Sequence, residues 1–195
     1  MALAAITALV GFGVTALRPG LDIEILQAVA LHRDATVTSI AEILTTAGSF
    51  PLLAPLSVAA LLLRRWNRPA DDIALVVIAA GSAALPWLVK LIVARPRPTF
   101  EHLQQLSSLS FPSEHTTQAA AIYLTIAILL SKGLNRGLRQ LAIVLALLIA
   151  VVVAWSRVYL GVHYPSDVAA GLVLGWSWAL LVFHWARPSL EQGLV

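Results

Sequence analysis

The chain alternates between long apolar runs and short polar connections. Six runs contain no Asp, Glu, Lys or Arg, and each is 16 to 21 residues long. About 17 to 25 helical residues cross a hydrocarbon layer roughly 30 Å thick, so five of the six runs are long enough to span a membrane as they stand. The runs are Ala2 to Leu17, Ile43 to Leu63, Ile73 to Val89, His115 to Ser131, Gln140 to Ser156 and Val168 to Ala186. The pattern predicts an all-α, polytopic membrane protein with six transmembrane helices.

One connection and one span add detail to this picture. Leu21 to Arg33 mixes apolar with charged residues, which predicts an interfacial helix between the first two spans. In the second span Gly48, Ser49, Pro51 and Pro55 predict a kink, because each proline removes a helical hydrogen-bond donor and clashes with the preceding turn. No connection has the length or composition of a linker, so we expect residues 1–195 to form a single integral-membrane domain.

Composition excludes an ordinary soluble protein. Hydrophobic residues make up 59% of the chain and charged residues 12%, whereas a soluble domain carries about a quarter charged residues. The formal net charge is +3, but the basic residues lie between the apolar runs and not on one soluble face, so we expect no nucleic-acid partner. The chain has no Cys, which excludes disulfides, thiolate catalysis and Cys-ligated metals. No Lys or Arg precedes the first run, which disfavours a cleaved signal peptide.

The Lys and Arg residues predict an orientation. With six spans, Arg64, Arg65, Arg68, Lys132, Arg136, Arg139 and Arg187 fall on one side, and Arg18, Arg33, Lys90, Arg95, Arg97 and Arg157 fall on the other. The positive-inside rule then places the first group and both termini in the cytoplasm. We expect a multi-pass protein of the plasma (inner) membrane whose second group faces outward.

Two cations mark the end of the third span. Lys90 lies in an apolar stretch, where a charge costs at least about 2.5 to 3.5 kcal/mol unless the side chain reaches the headgroups. Arg97 follows in the stiff segment Arg95-Pro96-Arg97-Pro98, since two prolines hold the backbone extended. Two nearby cations indicate an anionic ligand, although snorkelling alone also explains Lys90.

Polar side chains open the fourth and sixth spans. Ser113 is placed as an N-cap residue, with His115 at the mouth of the same apolar helix. His163 and Asp167 are four residues apart across the start of the sixth span, a spacing that lets the carboxylate orient the imidazole. Helix capping and a hydrogen-bonded interfacial histidine explain each pair separately.

Topology joins these signals, because the residues all lie on the same side of the predicted membrane. Three cations, two helix N-termini and two histidines together predict a phosphoryl-transfer site. Its residues are Lys90, Arg97, Ser113, His115, Arg157, His163 and Asp167.

Three segments carry a family resemblance. Lys90 to Pro98 reads Lys, six residues, Arg-Pro; Pro112 to His115 reads Pro-Ser-x-His; and Ser156 to Asp167 reads Ser-Arg, five residues, His, three residues, Asp. In order and spacing they resemble the three signature motifs of the type 2 phosphatidic acid phosphatase superfamily. Thr45 to Ser49 in the second span also resembles a family feature.

The resemblance implies a lipid phosphatase that needs no metal or other cofactor. His163 would attack phosphorus to give a phosphohistidine, Asp167 would orient it, and His115 would protonate the leaving oxygen and then activate water. Lys90, Arg97, Ser113 and Arg157 would hold the phosphoryl oxygens. The partners implied are a lipid phosphate or diphosphate and the bilayer, with the active site on the extracytoplasmic side.

Glu114 departs from the usual Pro-Ser-Gly-His. An acid at this position resembles the undecaprenyl diphosphate phosphatase branch, and makes Glu114 a candidate modulator of the site. Its carboxylate either pairs with a site cation or lies solvated in the first helical turn, where the helix dipole favours it. Undecaprenyl diphosphate is therefore the first substrate hypothesis. The alternatives are a phosphatidylglycerophosphate or phosphatidic acid phosphatase, a lipid phosphotransferase, and a non-catalytic transporter or scaffold.

Overall fold

The computed structural model describes residues 20–63, 69–99, 103 and 108–186. Seven α-helices lie in this part of the chain. In order they are α1 (Leu21–Leu31), α2 (Ala35–Thr46), α3 (Phe50–Leu62), α4 (Pro69–Val93), α5 (Glu114–Leu130), α6 (Arg136–Tyr159) and α7 (Pro165–Ala186). The expectation of an all-helical protein is confirmed for the described residues.

Helix α5 is the centre of the bundle. Its residues are small or weakly polar on every side, as in Thr116-Thr117-Gln118-Ala119-Ala120, and these five are all buried. Helices α3, α4, α6 and α7 pack around it. Because a helix buried on all faces has no solvent side, it needs no polar stripe.

The outer surface of the bundle is apolar. Ile92 on α4 is 71% exposed, and Leu148 on α6 and Leu180 on α7 are each more than half exposed. A water-soluble protein rarely exposes apolar patches of this extent, whereas hydrocarbon chains solvate them without cost. These side chains therefore face lipid.

Span lengths agree with the predicted runs in part. Among the described residues, α4, α6 and α7 are each long and apolar enough to cross a membrane. Helices α2 and α3 pass the same criterion only as a pair, bent by 45° at the break between them. The run from His115 to Ser131 corresponds to α5, which has 17 residues, and the run from Ala2 to Leu17 lies outside the described residues. The count of six spans stays a prediction.

The kink predicted from Gly48 to Pro55 lies at the N-terminal end of that segment. Ala47 to Ser49 interrupt the helix, and α3 begins at Phe50. Pro51 is in the first turn of α3, where its missing N–H has no helical partner to lose. The helix continues through Pro55, so the break lies before this residue, and a bend at Pro55 itself stays a prediction. The helix expected over Leu21 to Arg33 is α1, and its position at the interface stays a prediction.

Ion pairs mark the two ends of the bundle. At one end Lys132, which follows α5, binds Asp71 in the first turn of α4. At the other end α4 and α6 terminate and α5 and α7 begin. The residues of the predicted site all belong to this second end.

Two glycines let α7 approach α5 closely. A Cβ atom on Gly171 would lie 2.9 Å from the carbonyl oxygen of Ser113, and one on Gly175 would lie 2.4 Å from that of Thr117. The two glycines are four residues apart, the small-xxx-small spacing that brings helix backbones together in membranes. This contact was not predicted from the sequence.

Gly175→Ala should therefore destabilise the fold. The added methyl group meets backbone, which cannot move aside, and overpacking of this kind costs about 1 to 3 kcal/mol. Thermal unfolding of the purified protein in detergent measures the effect as a lower Tm. Gly137→Ala in the first turn of α6 is the matched control, because the nearest atom to its new Cβ is 3.5 Å away. Equal Tm values for the two variants would contradict the close packing of α5 and α7.

Candidate active site

His163 lies in the connection between α6 and α7, with its side chain only 2% exposed. Nη1 of Arg97 is 3.2 Å from its Nε2. Because a guanidinium has donors only, Nε2 must be the acceptor in this contact. The imidazole proton is then on Nδ1, which lies 3.4 Å from Oδ2 of Asp167.

The charge state of His163 follows from its surroundings. Burial lowers the pKa of His163 to about 4, Arg97 and Arg157 act in the same direction, and Asp167 opposes them. The ring is therefore neutral near pH 7, with a lone pair on Nε2. This is the form of histidine that acts as a nucleophile.

Asp167 is fully buried in the first turn of α7. Its Oδ2 accepts the backbone N–H of Tyr164 at 2.9 Å, so the carboxylate caps its own helix as well as facing His163. Its backbone carbonyl accepts the N–H of Ser113 at 3.1 Å, which joins the starts of α5 and α7. The capping and the histidine-orienting interpretations of this residue are therefore compatible.

Arg97 is held in place by backbone oxygens. Its Nε donates to the carbonyl of Ser108 at 2.8 Å, and Nη1 donates to the carbonyl of Val162 at 2.6 Å. The Ser108 hydroxyl accepts from Nη2 at 2.8 Å. The guanidinium therefore keeps its orientation towards His163.

Lys90 does not snorkel to the membrane surface. It is 4% exposed, and its ammonium group donates to the carbonyl of Leu109. Oε1 of Glu114 is 3.6 Å from Nζ, with 43% of the Glu114 side chain exposed. Of the two interpretations of Glu114, the structure favours pairing with a site cation.

Ser113 occupies the N-cap position of α5 as predicted, with extended backbone. Its hydroxyl does not cap an amide, which corrects the expected interaction. Instead the hydroxyl accepts from Oγ1 of Thr116 at 3.1 Å. The Ser113 hydroxyl would have to point towards the amides of α5 to cap them. It forms its hydrogen bond with Thr116 instead.

Arg157 and His115 lie against the segment that separates α2 from α3. Nη1 of Arg157, which is 2% exposed, donates to Oγ1 of Thr45 at 2.8 Å. A Cβ atom on Gly48 would lie 2.8 Å from the carbonyl oxygen of His115, so only glycine fits here. The His115 side chain interacts electrostatically with Arg157 and His163. The kinked segment from Thr45 to Ser49 thus borders the site.

Three further residues belong to this end of the bundle and were not predicted. Arg95 binds Asp167, Asp22 and Ser166, each at 2.7 Å. Arg95 was expected only to face outward and to form part of a stiff segment, and its place two residues before Arg97 was the available signal. Asp22 is 144 residues from Ser166, and no local pattern connects them.

The part of the chain that contains these residues matches a known protein family. A model of the PAP2 superfamily matches residues 72–190, which include all seven predicted site residues. The chain belongs to the PAP2 superfamily. Together with the apolar helices α4, α6 and α7, this makes it a multi-pass membrane protein.

Relatives in the PAP2 superfamily include several enzymes. Phosphatidylglycerophosphatase B of Bacillus subtilis is 35% identical over 129 residues, covering 65% of this chain and 62% of the relative. Undecaprenyl-diphosphatase BcrC of the same organism is 33% identical over 113 residues, 54% of each chain. The chain matches between 48% and 63% of the length of the first curated relatives.

A solved PAP2 structure matches the whole fold. It is the crystal structure of a transmembrane PAP2 type phosphatidylglycerolphosphate phosphatase from Bacillus subtilis, with a TM-score of 0.85 and 29% identity. The match covers 98% of this chain and 97% of that one. The helical arrangement is therefore that of a membrane PAP2 protein.

Proposed function

We propose that this chain is an integral-membrane lipid phosphatase, which removes a terminal phosphate from a lipid through a phosphohistidine intermediate. One observation carries the proposal: a buried, neutral His163 presents Nε2 to Arg97 while Nδ1 faces Asp167. The Nε2 lone pair of His163 is held by a cation that can also bind a phosphate. We infer that a phosphoryl group bound by Arg97 replaces this contact and brings phosphorus next to Nε2.

The first step forms one bond and breaks another. Nε2 of His163 attacks phosphorus, and the bond from phosphorus to the lipid oxygen breaks. The imidazole becomes positively charged, and Asp167 stabilises that charge. His115 protonates the leaving oxygen, which departs with the lipid.

The second step releases phosphate. His115, now neutral, takes a proton from water while the water oxygen attacks phosphorus. The bond between phosphorus and Nε2 breaks, and His163 returns to its neutral form. No external oxidant, reductant or metal enters this balance.

Fixed charges stabilise the transferring phosphoryl group. Lys90, Arg97 and Arg157 supply three cations, and α5 and α7 both begin at the site, each with the positive end of its helix dipole. Preorganised charges in a site shielded from water are more effective than the same charges in bulk solvent, because they do not reorganise during the reaction. We assign Ser113 the role of holding an oxygen of the same group.

An apolar cleft supports a lipid as the substrate. A cavity of about 250 Å³ lies between α3 and α4, with Phe50, Leu53, Ala79 and Ala83 among its lining residues and Ile122 of α5 on one side. Ile122 is two helical turns from His115 along α5, about 10 Å at 1.5 Å per residue. We infer that this cleft receives the first part of the hydrocarbon chain of a lipid whose phosphate is bound at the site.

Undecaprenyl diphosphate is the substrate we put first, because an acid at position 114 resembles that branch of the family. Phosphatidylglycerophosphate is the second candidate, and the solved structure that matches the whole chain supports it. Purified protein assayed on both lipids and on phosphatidic acid distinguishes them by the rate of inorganic phosphate release. Transfer of phosphate to another acceptor would indicate a phosphotransferase, and no reaction with any of the lipids would favour a transporter or scaffold.

The nucleophile assignment predicts the behaviour of two variants. His163→Ala should lower phosphate release by more than about 10³-fold, because the attacking atom is lost. His115→Ala should still form phosphoenzyme on a substrate with a good leaving group, since attack does not require His115. Acid-quenched ³²P labelling measures the phosphoenzyme, and circular dichroism checks that both variants are folded. Near wild-type turnover in His163→Ala would falsify the mechanism.

Glu114 should weaken phosphate binding by neutralising Lys90. We expect Glu114→Gln to lower the inhibition constant for inorganic phosphate by about fivefold, since partly exposed ion pairs are worth at most about 1 kcal/mol. Competitive inhibition measured with a soluble substrate tests this. Glu24→Gln makes the same charge change on an exposed residue of α1 and should have no effect. An unchanged or larger constant in Glu114→Gln would show that Glu114 does not compete with phosphate for Lys90.

The charge distribution predicts an extracytoplasmic site with both termini in the cytoplasm. A single Cys replacing Thr99, exposed near Arg97, should react with an impermeant maleimide on intact cells, and one replacing exposed Asn135 should not. Thr99 is a better probe than Ser108, whose carbonyl and hydroxyl bind Arg97. A permeant maleimide should label both variants. The reverse pattern with the impermeant reagent would invert the orientation and exclude an outward-facing role.

A further inference from the structure

Two carboxylates share one guanidinium beside the proposed nucleophile. Nη1 of Arg95 donates to Oδ1 of Asp167 at 2.7 Å, and Nη2 donates to Oδ2 of Asp22 at 2.7 Å. The side chains of Arg95, Asp22 and Asp167 are 18%, 10% and 0% exposed. The Tyr164 ring covers the guanidinium, 4.0 Å from its carbon to the ring centroid. The mechanism above gives no role to Arg95 or Asp22.

Asp22 also holds the start of α7. Its Oδ1 accepts the backbone N–H of Ser166 at 3.0 Å, and its Oδ2 accepts the Ser166 hydroxyl. The first amides of a helix have no partner within the helix, and a carboxylate is favoured there. Asp22 belongs to the first turn of α1, so α1 caps the helix that carries Asp167.

The contacts of Arg95 decide which oxygen of Asp167 faces His163. With Oδ1 bound to Arg95, Oδ2 is left to the Tyr164 N–H at 2.9 Å and to Nδ1 of His163 at 3.4 Å. Without Arg95, the Tyr164 N–H would be left as the hydrogen bond that restrains rotation of the carboxylate about its last bond. A lysine in place of Arg95 has one ammonium group and lacks the planar fork that reaches both carboxylates.

Asp22 offsets the positive charge of Arg95. Arg95 alone would neutralise Asp167, because the two form a close pair shielded from water. With Asp22 on the other nitrogen, the three groups together carry one net negative charge. That charge is available to stabilise a cationic His163.

We propose that Asp22 and Arg95 are positioning residues, which act through Asp167 to orient His163 and to stabilise its charge during phosphoryl transfer. The proposal rests on the proposed function, in which His163 is the nucleophile. Neither residue is assigned a contact with substrate. Helix α1 thereby becomes part of the active-site architecture.

The proposal predicts opposite effects on the titration of His163. Arg95→Gln removes a cation from Asp167, so the titration midpoint should rise by about one pH unit, a usual scale for loss of a neighbouring charge. Asp22→Asn leaves Arg95 to neutralise Asp167 alone, so the midpoint should fall. Other charged or titratable groups facing His163 or Asp167 are unchanged in both variants; they are Arg97, Arg157, His115, Lys90 and Tyr164.

Histidine NMR measures these midpoints without turnover. Protein with ¹³C-labelled histidine is titrated in detergent, and His163→Ala assigns the signal among the five histidines. In parallel, kcat should fall at least about tenfold in both variants while KM changes less than twofold, because phosphate binding is not involved. Arg95→Lys should not restore kcat.

Asp71→Asn is the matched control. Asp71 is 8% exposed and binds Lys132 at the opposite end of the bundle. Loss of either buried carboxylate should lower Tm, but Asp71→Asn should leave kcat and the His163 titration unchanged. Midpoints that do not move in Arg95→Gln, or that move in the same direction in both variants, overturn the proposal. If wild type releases no phosphate but the midpoints still move oppositely, the proposed function fails while the coupling to His163 stands.

Discussion

The close approach of α5 and α7 is the contact on which the rest of the structure depends. Gly171 and Gly175 have no Cβ atom, so the two backbones come together along the central helix. The N–H of Ser113 then reaches the carbonyl of Asp167 at 3.1 Å. Two helix N-termini, each with a positive dipole end, therefore lie side by side at one end of the bundle. A side chain at either glycine would hold the two helices apart and separate their starts.

The three cations at this end of the bundle need hydrogen-bond partners that hold them in place while no phosphate is bound. Lys90, Arg97 and Arg157 are directed into the same region by α4, the segment after it and α6. Leu109, Ser108, Val162 and Thr45 supply oxygens to these cations, and Glu114 supplies a carboxylate. Neutral oxygens hold a cation in place without cancelling its charge. The site thereby stays attractive to an anion, and Glu114 is the one among these groups that opposes it.

Asp167 connects folding with chemistry. Its carboxylate caps the start of α7, binds Arg95 and faces His163, so a single buried group links three elements. The neutral state of His163 depends on the same burial, since desolvation disfavours its charged form. A charge that develops on this ring during the reaction meets a carboxylate already in place. The protein therefore reorganises little around the reacting atoms.

The sequence predicted the helices and the candidate residues at their ends, because both depend on residues that are close together along the chain. Apolar runs predicted the helices, because a membrane requires about 20 apolar residues per crossing. Lys90, His115 and His163 were identified as candidates because charge and imidazole are costly at the ends of apolar helices, and because their spacing resembles that of a known family. The break before Phe50 followed from Gly48 and the prolines, although the helix tolerated Pro55.

Tertiary structure decided the contacts between residues that are distant in sequence. Asp22 and Ser166 are separated by 144 positions, and only the folded bundle brings α1 to the start of α7. The same holds for the hydrogen bond between Thr45 and Arg157, and for the contact of the partly exposed Glu114 with Lys90. The Ser113 hydroxyl took Thr116 as its partner where a cap was expected, because a competing donor lay one turn away. A sequence determines which groups are present at each helix end, whereas packing determines which of several chemically suitable partners is within reach.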